Sequence, residues 1–204
     1  MKPTTTTIDE PALPAFRHAV AGMRSWRAPT GIHIAESTAP TTIAPHAFAL
    51  SAIVTRPGTA PTRSRLILLH EPTGHPAWQG TLRLVTWLSV DLVTRRLSEL
   101  RPDRVAWSWL HNSLAAAGAR HVAAGGTITR SHSVRCGELT LARRHGRITD
   151  DDSAAPDPAD ITAELELRAS WTPLGDDLTT HLDGWSVLLL AAAGSPEPDL
   201  RPTA

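Results

Sequence analysis

His70, Glu71 and His75 lie within six residues of one another and are of the types that hold zinc and move protons. A zinc protease spaces them His-Glu-x-x-His on a helix, which sets both imidazoles on one face with the glutamate as base. Here the second histidine is one residue too far, and Pro72, Gly74 and Pro76 forbid the helix. The stretch reads as a polar turn. The chain holds ten histidines, and imidazole titrates near neutral pH. His132 and His181 fall most firmly on predicted elements, but neither belongs to a Ser/His/Asp arrangement, and Gly-x-Ser-x-Gly is absent. Both are expected to make structural hydrogen bonds. Cys136 would need a stabilised thiolate to act as a nucleophile. Its neighbour Arg135 points to the opposite side of a strand, so the thiol reads as half-buried and structural. Phosphate-cradling glycine motifs are missing. The sequence therefore leads us to expect no catalytic residue, no cofactor and no metal.

Bulk properties narrow the class further. A chain of 204 residues with 41% hydrophobic content suffices for one domain with a substantial core. Twenty basic residues balance twenty acidic ones, leaving no global field to gather nucleic acid or an anionic membrane. The densest basic cluster, Arg143, Arg144 and Arg147, is followed at once by Asp150–Asp152 and has no aromatic platform, which reads against nucleic acid. One cysteine excludes a disulfide framework. Met1 to Pro14 is Thr- and Pro-rich without an apolar core, unlike a signal peptide. Val187–Ala193 is far shorter than the ~20 residues of a membrane span. A cytoplasmic protein is expected.

Periodicity supplies the elements that would position these residues. Leu13, Phe16, Val20 and Met23 recur at helical spacing, and Arg27-Ala28-Pro29-Thr30-Gly31 stops that helix. Gly31–Glu36, Phe48–Val54 and Leu66–Leu69 read as strands, the last two apolar on both faces and so expected to be covered on both sides. After the loop through Pro76 comes a long strand, Thr81–Val93. Leu82, Leu84, Leu88, Val90 and Leu92 take one face of it, and Arg83, Val85, Trp87, Ser89 and Asp91 the other. Pro102 and Asp103 open a helix that Gly118 closes. The Gly125-Gly126 pair reads as a turn into a strand, Gly126–Arg135. Ile161–Thr172 shows the clearest alternation: Leu165, Leu167, Ala169 and Trp171 against Glu164, Glu166, Arg168 and Ser170. A final helix runs from about Leu178 to Ala193. Residues 13–196 are expected to form one domain, with 1–12 and 197–204 as disordered tails and 143–160 as a flexible loop. The expected class is α+β: two layers, an antiparallel sheet of five to six strands and about three helices, in the order α-β-β-β-(β)-α-β-β-α.

Two features suggest surfaces. Trp107 and Trp109 lie roughly 200° apart around a helix, so one faces the sheet and the other needs separate cover. If the last two strands pair, Glu164, Glu166 and Arg168 stand beside Thr129, Ser131 and Ser133. That charged side is either solvated or accepts a partner.

The stretches Glu71-Pro72-Thr73-Gly74 with Trp78 and Gly80, Val105-Ala106-Trp107-Ser108-Trp109-Leu110, Gly126-Thr127-Ile128-Thr129-Arg130, Leu167-Arg168-Ala169-Ser170-Trp171-Thr172-Pro173, and His181-Leu182 with Trp185 resemble an uncharacterised actinobacterial family, domain of unknown function 3000. The resemblance runs from about residue 13 to 196. It departs at Glu71, where the family has aspartate, and at Cys136, where it has an aromatic. It implies a compact bacterial protein and assigns no activity. The element order is also similar to type III secretion chaperones, which commonly dimerise; that likeness is topological only. The expected function is a non-enzymatic interaction module, chaperone-like or adaptor, with a protein partner or self-association and a surface at Trp107, Trp109, Glu164, Glu166 and Arg168. The alternative is a small enzyme or ligand-binding domain with a site near Arg168, His181 and the 71–78 loop.

Overall fold

The computed structural model describes residues 14–40, 42–92, 102–139 and 160–194. Helix α1 (Pro14–Ser25) leads into strands β1 (Ile32–Ser37), β2 (His46–Val54), β3 (Thr62–His75) and β4 (Gly80–Asp91). Helix α2 (Pro102–Ala116), strand β5 (His121–Val134), strand β6 (Ile161–Pro173) and helix α3 (Thr179–Gly194) follow. The six strands form one sheet, wholly antiparallel, in the order β1-β2-β3-β4-β6-β5. The α+β class and element order expected from periodicity are therefore those observed. The expected tails at 1–12 and 197–204 lie outside the described residues, as does the expected loop as far as residue 159. Asp160 is buried, and its carbonyl accepts the Arg135 N–H at 2.9 Å.

Alternation along each strand decides which side chains the helices cover. Phe48, Leu50, Leu66, Leu68, Leu84, Leu88, Leu165, Leu167 and Trp171 share one face and are buried with Phe16, Met23, Trp109, Leu110, Leu182 and Leu189 from the helices. Buried polar contacts fix α3 to the sheet. The Trp185 indole donates to Ser64 Oγ at 2.9 Å, and Ser64 donates to the Trp87 carbonyl at 2.6 Å. Asp177 caps α3, accepting the Thr179 N–H at 3.0 Å and its hydroxyl at 2.7 Å. Gly184 lets α3 cross α2 closely, since a Cβ there would lie 3.2 Å from the Ser113 carbonyl and 3.1 Å from Leu114 Cδ2.

Three local readings are corrected. Glu71–His75 is not a loop: β3 runs on to His75 and turns back over residues 76–79, with a register shift between His70 and His75 and positive φ at Gln79. Pairing with β4 at His70 and His75 carries Pro72 and Gly74 along as an irregular part of the strand, with Gly74 at positive φ. Gly125-Gly126 lies inside β5, which starts at His121 and bulges between Val122 and Gly125. Gly126 is there for closeness, because a Cβ would lie 2.3 Å from the Arg168 carbonyl oxygen. Finally, β2 and β3 are only partly covered on their second face. Ala49 and Leu69 are buried, Ile67 is half-buried, and Ile53 is 41% exposed.

Candidate functional site

With the three helices on one side, the second face of the sheet carries the rows that strand register sets across it. One row reads Arg65, Trp87, Arg168 and Thr127; the next reads Arg63, Ser89, Glu166 and Thr129. Residues directly opposite on neighbouring strands share a face and touch. Trp87 is half-buried between two guanidinium-bearing neighbours, with Ile67 and Val85 half-buried in the adjoining row. The Trp87 indole N–H first, and Arg168 after it, hold the Glu166 carboxylate below the usual range, against a smaller opposing pull from desolvation. Arg168 Nε sits 2.5 Å from Glu166 Oε1. The Arg65 Nε is buried and has no hydrogen-bond partner among the described residues. Two of the expected neighbours are in place, Glu166 beside Thr129 and Glu164 beside Ser131. Ser133 instead faces Thr162, and Arg168 stands beside Thr127, because the register is shifted by one pair from that expected.

One end of this face is closed. Arg83 is 8% exposed, and its guanidinium donates to the Ala123 carbonyl at 2.8 Å, Thr172 Oγ1 at 3.1 Å and Ser170 Oγ at 2.8 Å. Burial lowers its pKa from the ordinary arginine value. Ala123 presents that carbonyl from a left-handed backbone, φ 52°, at the β5 bulge. Thr172 in turn donates to the Trp78 carbonyl at 2.5 Å, so the tip of the β3–β4 hairpin leans on the sheet there. At the other end a cavity of about 250 Å³ is lined by Arg63, Ser89, Asp91, Ser131, Thr162 and Glu164 among others. Ser89 donates a hydrogen bond to Glu164 inside it. The volume falls below the ~300 Å³ at which small-molecule sites usually begin.

The sequence-level candidates are thus distributed over both sides of the sheet. Glu164, Glu166 and Arg168 lie on the open face. Trp109 is buried in the core on the helix side, and its indole nitrogen has no partner among the described residues. Trp107 is half-buried beside it and meets His111 edge-on, with centroids 4.9 Å apart. The structure does not bring Arg168 and His181 together, for they stand on opposite faces. His181 Nδ1 accepts the Trp171 indole N–H at 3.1 Å, and the Arg120 carbonyl faces the ring. Burial first, and then His121, push its pKa down to about 4. It is the structural histidine the sequence led us to expect, with no lone pair left over for a substrate. His132 departs from that expectation: it is exposed on β5 and makes no hydrogen bond among the described residues. Cys136 also departs from it, being exposed beyond the end of β5 rather than half-buried. Among the described residues, no group of three or more His, Cys, Asp or Glu could hold a metal ion. The cluster at Arg143, Arg144 and Arg147 lies outside them.

Trp87 is the residue that sequence reasoning passed over. Its signal was the period-two pattern of β4, which set an indole among Arg83, Ser89 and Asp91 on the polar side.

Fold and surface define a two-layer α+β domain, one sheet face sealed by helices and the other left open as a mixed aromatic and charged surface. The family model described as "Protein of unknown function (DUF3000)" matches residues 12–201, and the chain belongs to that family. No curated protein and no solved structure matches it. No helix among the described residues is long and apolar enough to cross a membrane.

Proposed function

We propose that the chain is a non-enzymatic, cytoplasmic protein-interaction domain, adaptor- or chaperone-like, which engages its partner on the open face of the sheet. The observation that carries this reading is the Arg65–Trp87–Arg168 row. Tryptophan and arginine are the side chains that concentrate binding energy at interfaces. Here they are half-buried or exposed in one line, backed by Ile67 and Val85 and rimmed by Glu164 and Glu166. An aromatic and aliphatic centre inside a charged rim is the usual anatomy of a protein interface. The buried histidine His181 is committed to Trp171, which favours a binding role over proton transfer.

The test is quantitative capture from cells with the tagged chain, its Trp87→Ala variant and its Trp107→Ala variant. A true partner is depleted roughly tenfold or more by Trp87→Ala, as loss of one hot-spot side chain requires, and is retained by Trp107→Ala. Equal capture by wild type and Trp87→Ala removes the open face as the binding surface.

A further inference from the structure

The sheet ends in two unlike edges. β1 is six residues long, whereas β5 is fourteen. From Gly126 to Val134 every residue of β5 is exposed except Ile128, which is half-buried, and Val134 is 40% exposed. Long exposed edges present a row of unpaired N–H and C=O groups, and proteins blunt them with proline, bulges or charged side chains, lysine above all. This edge carries one charge, Arg130. Residues 126–134 contain no proline and no lysine, and the β5 bulge lies at the opposite end, between Val122 and Gly125.

The ladder tells which main-chain groups face out. The Arg135 N–H points inward, to the Asp160 carbonyl, and pairing with β6 is regular from Gly125 to Val134. Inward and outward groups alternate in an antiparallel strand. Thr127, Thr129, Ser131 and Ser133 therefore bond to β6, and Ile128, Arg130, His132 and Val134 turn their N–H and C=O groups away from the sheet.

We propose that this outer edge pairs antiparallel with the same strand of a second copy of the chain, across a two-fold axis at Ser131. This goes beyond the open-face reading and does not rest on it. The register follows from side-chain chemistry. Centring on Arg130 sets guanidinium against guanidinium, which is destabilising directly across a pair. Centring on Thr129 carries Val134 past the paired stretch, and centring on His132 does the same to Ile128. At Ser131 all four outward residues pair: Ile128 meets the second copy's Val134, and Arg130 meets the second copy's His132. On the open face Ser131 meets its own copy and Thr129 meets the second copy's Ser133, so only hydroxyls face hydroxyls. The two sheets then run on as one, joined by roughly eight main-chain hydrogen bonds.

Sedimentation equilibrium of the full chain is expected to give a dimer. Arg130→Pro removes an outward N–H and leaves the β6 ladder untouched, as proline permits on an edge. It is expected to weaken the dimer at least ~tenfold, the effect of losing about one well-made contact pair. Should that variant fail to fold, Ser131→Cys in a Cys136→Ser background supplies the answer. Its two sulfurs meet across a non-hydrogen-bonded pair about 4.5 Å apart at Cα, within disulfide reach. Mild oxidation should link most chains in pairs, while Thr129→Cys, facing a serine, should link few. A monomer up to the millimolar range, or Ser131→Cys linking no better than Thr129→Cys, overturns the proposal. Trp87→Ala is expected to leave the dimer intact, so the two readings fail separately.

Discussion

The two faces of β6 use the same thirteen-residue strand for opposite ends. Leu165, Leu167, Ala169 and Trp171 are all buried under α2 and α3, whereas Glu164 and Arg168 stand in water and Glu166 is only half-covered. On the covered side each side chain is held from several directions, and the Trp171 indole N–H is paired with His181. On the open side the contacts run sideways along rows, through Trp87, Arg168 and Glu166. Apart from the closed end at Arg83, Ser170 and Thr172, most of the burial along β6 therefore lies on one face. On the other, the stretch through Glu164, Glu166 and Arg168 is free to vary its chemistry at little cost to folding, which is what a recognition surface requires.

Substitutions that strike one face only sharpen this contrast. The largest effect is expected from Trp171→Ala, which removes a fully buried ring from beneath α3; urea denaturation should show a loss of about 3–5 kcal/mol. Next comes acid. His181 is neutral in the fold with a pKa of about 4, against an ordinary value of 6.5, so its contribution is complete above pH 6.5 and drains away as pH falls toward 4. That interval corresponds to about 3 kcal/mol. His70, buried beside His46 and lowered chiefly by desolvation, acts in the same direction. Denaturation midpoints from pH 7 to 4 should fall, and His181→Phe should flatten the curve. Gly126→Ala forces a methyl against the Arg168 carbonyl and is expected to cost about 2 kcal/mol, seen as faster amide exchange in β5. The smallest effects belong to the open face. Trp87→Ala and Glu166→Gln should each change stability by no more than about 1 kcal/mol, because the row is solvent-screened. A loss of 3 kcal/mol or so in Trp87→Ala would erase the contrast between the faces.

Much of this was readable along the chain. The alternation of 161–172 announced a strand with one dry and one wet side, and the pairing of Glu166 with Thr129 followed once β5 was placed next to it. His181 announced a structural role by lying on a helix near no nucleophile. Other features could not be read. Pro72 and Gly74 speak for a turn when taken alone, and only the pairing of flanking His70 and His75 with β4 includes them in the strand. Trp107 and Trp109 look equivalent in sequence, yet α2 happens to turn Trp109 into the core and Trp107 toward His111.

The sequence by itself determined what repeats at short range: the element order, the α+β class, which residues of each strand share a side, and about where α3 begins and ends. These depend on spacing and on local hydrogen bonding, both complete within a few residues. Tertiary structure alone decided that β6 lies between β4 and β5 and that Arg168 and His181 face opposite ways. It also decided that Trp87 stands between Arg65 and Arg168. Those are contacts between residues far apart in the chain, and no local pattern encodes them, because their register is set by how the whole sheet closes over its helices.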